Sequence, residues 1–96
     1  MRDATELGAS LYLPATRTDL IDVVRGVKLS NVRSVIFCTE DSVHLNDLGA
    51  AIENLREPVR ALTRPSAQMR FIRVRNPEVM RLVLALPGIE KLDGFV

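Results

Sequence analysis

Apolar positions along the chain fall into two kinds of run. Short clusters of three to five residues alternate with longer stretches in which apolar residues recur every third or fourth position. The first kind predicts strands and the second helices. "LGASLYLP" (7–14) supplies a first strand through Leu11, Tyr12 and Leu13. Pro14 ends it, because proline has no N–H for the ladder. "ATRTDLIDVVRG" then predicts a helix, with Thr16 and Asp19 spaced as a capping box and Leu20, Val23, Val24 and Val27 as its inward stripe. Gly26 ends or loosens it. "RSVIFC" is a second strand whose apolar run does not alternate, as expected where both faces are covered. Leu45, Leu48, Ile52, Leu55, Val59 and Leu62 form the longest helical pattern. Pro58 falls inside that pattern and is expected to kink or split the helix near Glu57, since it removes a hydrogen bond and crowds the preceding turn. "TRPSAQ" is a loop and "MRFIRVRN" a third strand. "NPEVMRLVLALPG" is a third helix, with Asn76 as cap, Pro77 at the first helical position, Glu78 at the positive end of the dipole and Pro87-Gly88 as the stop. "KLDGFV" begins a fourth strand.

Strand and helix thus alternate three times and a strand follows, in one domain spanning 1–96. This order implies parallel strands joined by right-handed helical crossovers, an α/β architecture. Composition agrees with a globular chain: 47% of its 96 residues are hydrophobic and 26% charged. The net charge of +1 gives no global attraction to nucleic acid or to an anionic membrane. No apolar run approaches the roughly 20 residues of a membrane span. The N-terminal "MRDATELGAS" lacks the apolar centre of a signal peptide. Cys38, the single cysteine, cannot form an internal disulfide, and a cytoplasmic location is expected.

Parallel sheets bind ligands beyond the carboxyl ends of their strands. Thr16 and Arg17 follow the first strand, Glu40 and Asp41 the second, and Arg75 and Asn76 close the third. One rim is therefore expected to gather acids, arginines and hydroxyls. The plainer alternative is that Glu40 and Asp41 cap the next helix and pair with nearby arginines. Strand alternation puts Phe71, Arg73 and Arg75 on one face and Ile72 and Val74 on the other. A partly buried Arg73 needs an anion, either one of those two acids or a ligand carboxylate or phosphate, which the guanidinium fork grips bidentately. Residues 54–81 hold seven arginines against Glu57 and Glu78. However, Arg56, Arg60 and Arg64 recur at helical spacing opposite the apolar stripe, and aromatic stacking partners are nearly absent. No nucleic-acid partner and no membrane partner are expected. His44 could move a proton but suits polar surface, and Cys38 suits inert packing. The chain has neither a metal-spaced His/Cys set nor a phosphate-cradling glycine loop.

Together, "LYLPATRTDL", "VIFCTEDSV", "FIRVRN" and "LDGFV" resemble, in that order, the start of the citrate lyase beta-subunit-like proteins of the HpcH/HpaI aldolase superfamily. The resemblance covers about 7–96. It implies the N-terminal half of a (β/α)8 TIM barrel, four parallel strands with three helices, taken from an enzyme that makes or breaks carbon–carbon bonds. The substrates it implies are acyl-CoA thioesters of hydroxy diacids or hydroxy-oxo acids, reacting through a metal-stabilised enolate. By position, Arg73 matches the family's substrate arginine, with Arg17 and Arg75 as further substrate-binding residues. Glu40 and Asp41 match its acidic pair and are the catalytic candidates. Mg2+ is the implied cofactor, with a Glu and an Asp ligand on later strands outside this sequence. Cys38 stands where the family commonly has aspartate, and Arg75 where it has asparagine.

A whole barrel needs about 250 residues. The chain is therefore expected to be a fragment of a carbon–carbon lyase, inactive alone and self-associating through open sheet edges. Two other readings compete. In one, a non-catalytic half-barrel serves as a binding or assembly module. In the other, an open flavodoxin-like sheet carries Asp41 as a phospho-acceptor. The second ranks last, because "PATRT" lacks the acidic pair such receivers carry after the first strand.

Overall fold

A computed structural model of the chain describes residues 10–29, 31–39, 48–64, 66–74 and 77–96. Its elements run β1 (Ser10–Pro14), α1 (Leu20–Val24), β2 (Ser34–Cys38), α2 (Leu48–Arg60), β3 (Met69–Arg73), α3 (Pro77–Leu84), a short 3-10 turn (Ile89–Lys91) and β4 (Gly94–Phe95). The four strands form one sheet in the order β1-β2-β3-β4, and each neighbouring pair is parallel.

The register sorts the side chains onto two faces. Ser10, Tyr12 and Pro14 pair with Ser34, Ile36 and Cys38. These pair in turn with Met69, Phe71 and Arg73. The alternate positions Leu13, Val35, Phe37 and Ile72 join Leu20 and Val23 of α1, Ile52, Leu55 and Val59 of α2, and Val79 and Val83 of α3 in a single buried cluster. All three helices therefore cover one face. The other face carries no helix among the described residues.

Sequential strand order with helices on one side is the arrangement of a TIM barrel. A doubly wound sheet would reverse its strand order and carry helices on both faces. This removes the flavodoxin-like alternative. β2 is buried at every position, so the expectation of a strand covered on both faces holds. On the helix-free face the Ser10 and Ser34 hydroxyls of neighbouring strands meet at 3.0 Å.

Several local expectations change. α1 ends at Val24 because Gly26 takes φ +78°, a left-handed conformation that favours glycine. Val27 therefore leaves the inward stripe and is 72% exposed. Asp19 is the N-cap residue, yet its side chain caps no N–H. It pairs with Arg17 and Lys28 instead, so the Thr16–Asp19 box does not form. Pro58 does not split α2, which runs on to Arg60. Pro58 lies in the last turn, so the one bond its missing N–H costs, to the carbonyl four residues back, falls at the end of the helix and leaves little helix beyond it to be split off. Leu45 and Asn76 lie outside the described residues.

At the N-terminal end of the sheet, Arg70 is 1% exposed. It belongs to the helix-side face with Ile72. Its Nε lies 3.3 Å from Asp93 Oδ2. The same oxygen accepts the Arg70 backbone N–H at 2.7 Å, and a terminal guanidinium N–H donates to Thr63 O at 2.7 Å. Arg64 completes the group 3.6 Å from Asp93 Oδ1. The carboxylate thus ties β3 to the residue that enters β4.

Candidate active site

The C-terminal ends of the first three strands are laced together. Ala15 N–H donates to Cys38 O at 3.0 Å, and Thr39 N–H donates to Arg73 O at 3.1 Å. The buried Thr39 hydroxyl adds a second bond to the same carbonyl at 2.5 Å. Arg17 N–H donates back to Pro14 O at 3.0 Å, closing the turn after β1. Asn54 of α2 braces that turn from the helix side, its amide donating to Ala15 O at 2.8 Å and Arg17 O at 2.7 Å. Sequence reasoning did not single out Asn54. The available signal was a polar residue just before Leu55, beside the inward stripe of α2.

Arg73 closes β3 on the helix-free face. Its guanidinium carbon stands over the Tyr12 ring, 5.9 Å from the centroid. Tyr12 belongs to β1 and Arg73 to β3, with β2 between them. The two side chains therefore meet across β2, which carries Ile36 and Cys38 on that face, both buried. Cys38 is a free thiol and the register partner of Arg73.

Arg17 sits past the end of β1, as expected, but its guanidinium is held by Asp19 through contacts of 2.5 and 3.0 Å. Lys28 Nζ adds a third contact at 3.1 Å. These hydrogen bonds, Arg17's foremost, lower the Asp19 pKa to about 2. Arg17 also lines a groove of about 160 Å³ with Ile21, Asn54 and Pro58, between α1 and α2. The structure thus places the Arg73 and Arg17 backbones at one rim, while it holds the Arg17 side chain beside Asp19. Glu40, Asp41 and Arg75, together with His44, lie outside the described residues.

Among the described residues no group of three or more His, Cys, Asp or Glu side chains could hold a metal ion. The described part of the rim offers hydroxyls, a thiol, two guanidinium groups and one carboxylate, Asp19, which is already paired with Arg17 and Lys28. Magnesium prefers anionic and carbonyl oxygens, so these residues do not form a magnesium site. No helix among the described residues is long and apolar enough to cross a membrane.

Sequential parallel strands with helices on one side define a protein of the TIM-barrel class. A family model described as C-C_Bond_Lyase of the TIM-Barrel fold matches residues 1–96. The chain belongs to this family of carbon–carbon bond lyases. No curated protein matches it.

Proposed function

We propose that this chain supplies the anion-gripping part of a carbon–carbon lyase of the citrate lyase beta-subunit-like kind. Its substrates are acyl-CoA thioesters or hydroxy-oxo acids, and the chain is inactive alone. The observation that carries the reading is Arg73, at the carboxyl end of a parallel strand on the helix-free face, held over Tyr12. Breaking a carbon–carbon bond beside a carbonyl leaves a negative oxygen, and the reacting acid brings a carboxylate of its own. A guanidinium meets a carboxylate with two parallel N–H donors, which fixes orientation as well as charge. Glu40 and Asp41 follow Thr39 directly in the chain and are assigned proton transfer to and from the substrate hydroxyl. The magnesium implied by the resemblance would be held by residues other than those described.

Three arginines elsewhere are neutralised within the chain, which leaves less cationic surface for a polyanion. Arg56 pairs with Glu53, Arg60 with Glu57 and Arg70 with Asp93. The test is calorimetric titration of the chain with malonate, a small dicarboxylate. Charged hydrogen bonds contribute about 1.5–3 kcal/mol, so Arg73→Met is expected to weaken binding at least about tenfold. Unchanged affinity in Arg73→Met sinks the reading.

A second reading, a half-barrel that assembles with another copy, draws on Tyr12, Met69 and Phe95, all exposed on the sheet. Sedimentation that finds only monomer at high concentration removes it.

A further inference from the structure

We infer that Asn54 is a positioning residue for Arg17: from α2 it fixes the turn after β1, and so the point from which the Arg17 guanidinium reaches a carboxylate. The inference rests on the proposal above that the carboxyl rim receives the substrate's anion.

Three observations carry it. The first is how completely the turn is held. Asn54 uses both N–H groups of its amide there, on Ala15 O at 2.8 Å and Arg17 O at 2.7 Å. The Ala15 N–H is taken by Cys38 O and the Arg17 N–H by Pro14 O, both at 3.0 Å. All four main-chain polar groups of the two residues flanking Thr16 are therefore paired, by β2, by the turn itself and by α2. The second is what the turn carries. Asp19 meets the Arg17 guanidinium through Nε and Nη2. Nη1 takes part in neither contact, and among the described residues the guanidinium has no other partner. The third is charge. Arg17 and Lys28 share the one carboxylate of Asp19, so the cluster keeps an excess of one positive charge for an anion.

What Asn54 supplies is a fixed footing. Asp19 orients the guanidinium, but that orientation serves a ligand only while the backbone beneath it stays in place. A turn without a ladder of its own opens more readily than the strands beside it. Without the two amide bonds, the turn samples arrangements that carry Arg17 away from the ligand. Affinity then falls by the fraction that remains competent. A primary amide suits the task, because one uncharged nitrogen carries both donors.

Calorimetric titration of the full chain with malonate is the test. Arg17→Met is expected to weaken binding at least about fivefold. Asn54→Leu and Asn54→Ala both remove the donors, one filling the space and the other opening it. Each is expected to weaken binding about three- to tenfold, measured where far-UV circular dichroism shows the variant folded. A merely structural brace would lower stability and leave the affinity of the folded molecules unchanged. A ligand-free check is ¹⁵N relaxation of the Thr16 and Arg17 amides, expected to report an ordered backbone in the native chain and a looser one in Asn54→Leu. Native affinity in both Asn54 variants overturns the role of Asn54. Native affinity in Arg17→Met, with binding weakened in Arg73→Met, overturns Arg17 as the contact and leaves the anion-binding rim standing. No malonate binding by the native chain overturns both. Unchanged amide order in Asn54→Leu overturns the positioning on its own.

Discussion

Asp93→Ala tests what holds the sheet together at its N-terminal end. In the native chain one carboxylate oxygen accepts two bonds from Arg70, from its backbone N–H at 2.7 Å and its Nε at 3.3 Å. The Arg70 side chain is 2% exposed and that of Asp93 19%. Alanine leaves the guanidinium buried with Thr63 O as its remaining acceptor in this cluster. Removing one partner of a buried pair costs about 3–5 kcal/mol, because the surviving charge cannot return to water. At about 0.05–0.15 kcal/mol per residue, a 96-residue chain has about 5–14 kcal/mol of stability in all. The loss is therefore a large share of the total. Arg64 touches the same carboxylate, at 3.6 Å, but its side chain is 53% exposed. Solvent screens it, and Arg64→Ala is expected to cost under about 1 kcal/mol. The assay is urea unfolding followed by far-UV circular dichroism, read as a change in midpoint at constant slope. The thermal midpoint should fall by at least about 10 °C. Pairing Arg70→Met with Asp93→Asn removes both charges and is expected to restore most of the loss. If Asp93→Ala costs no more than Arg64→Ala, or if the double variant is no better than the single, the pair does not hold the sheet in this way.

Two further changes test local features. Gly88 has φ +88°, and a Cβ there would lie 2.8 Å from Val59 O and 3.0 Å from Arg60 Cα, both backbone atoms at the end of α2. Gly88→Ala is expected to cost at least about 1–2 kcal/mol from conformation alone, and urea unfolding checks it. Asp19 is held at about 2 by Arg17 and Lys28, whereas an aspartate in an unfolded chain titrates near about 3.9. Its folded pKa is the lower one, so its contribution to stability is present above about pH 4 and is lost as pH falls through about 2. Asp19→Asn should flatten the stability profile in that window, and an unchanged slope there refutes the assignment.

Local periodicity revealed the elements wherever one physical rule governed a segment. The threefold and fourfold spacing from Leu48 to Val59 is the buried stripe of α2, and the unbroken run Val35–Cys38 is a strand buried on both sides. It misled where a neighbour intervened. Val27 fits the stripe of α1, but the left-handed Gly26 ends the helix before it. Asp19 has the chemistry of a cap, but two cations reach its carboxylate first. Strand order and the one-sided placement of helices are tertiary facts that no window of sequence contains. The face that Arg73 occupies was legible from strand alternation, and so was that of Arg70 in principle. Arg70 shares the parity of Ile72 and Val74, and an arginine at a core position demands an acid. Asp93 lies 23 residues away, however, and nothing local marks it as the partner. The meeting of Tyr12 with Arg73 was hidden for the same reason, since it needs β2 to lie between β1 and β3.

Arg70 and Arg73 show how register turns one residue type into two devices. Three residues apart on one strand, they must point to opposite faces. On the helix side water is excluded, so Arg70 is neutralised from within, and its partner Asp93 stands where the chain enters β4. On the helix-free side, at the strand's other end, the Arg73 guanidinium carbon stands 5.9 Å from the centre of the Tyr12 ring. In barrel proteins the amino-terminal rim serves stability and the carboxyl rim serves chemistry, and the two arginines lie at those two ends of β3. A slip of β3 by one residue would exchange their faces, leaving Arg70 without Asp93 and carrying Arg73 away from Tyr12. The hold on register is the alternation of β3, whose Arg70 and Ile72 are buried while Met69, Phe71 and Arg73 are not, set against β2, which pairs along its whole length with both neighbours. The Arg70–Asp93 pair at one end of the sheet and the Arg73–Tyr12 contact at the other therefore depend on the same strand pairing.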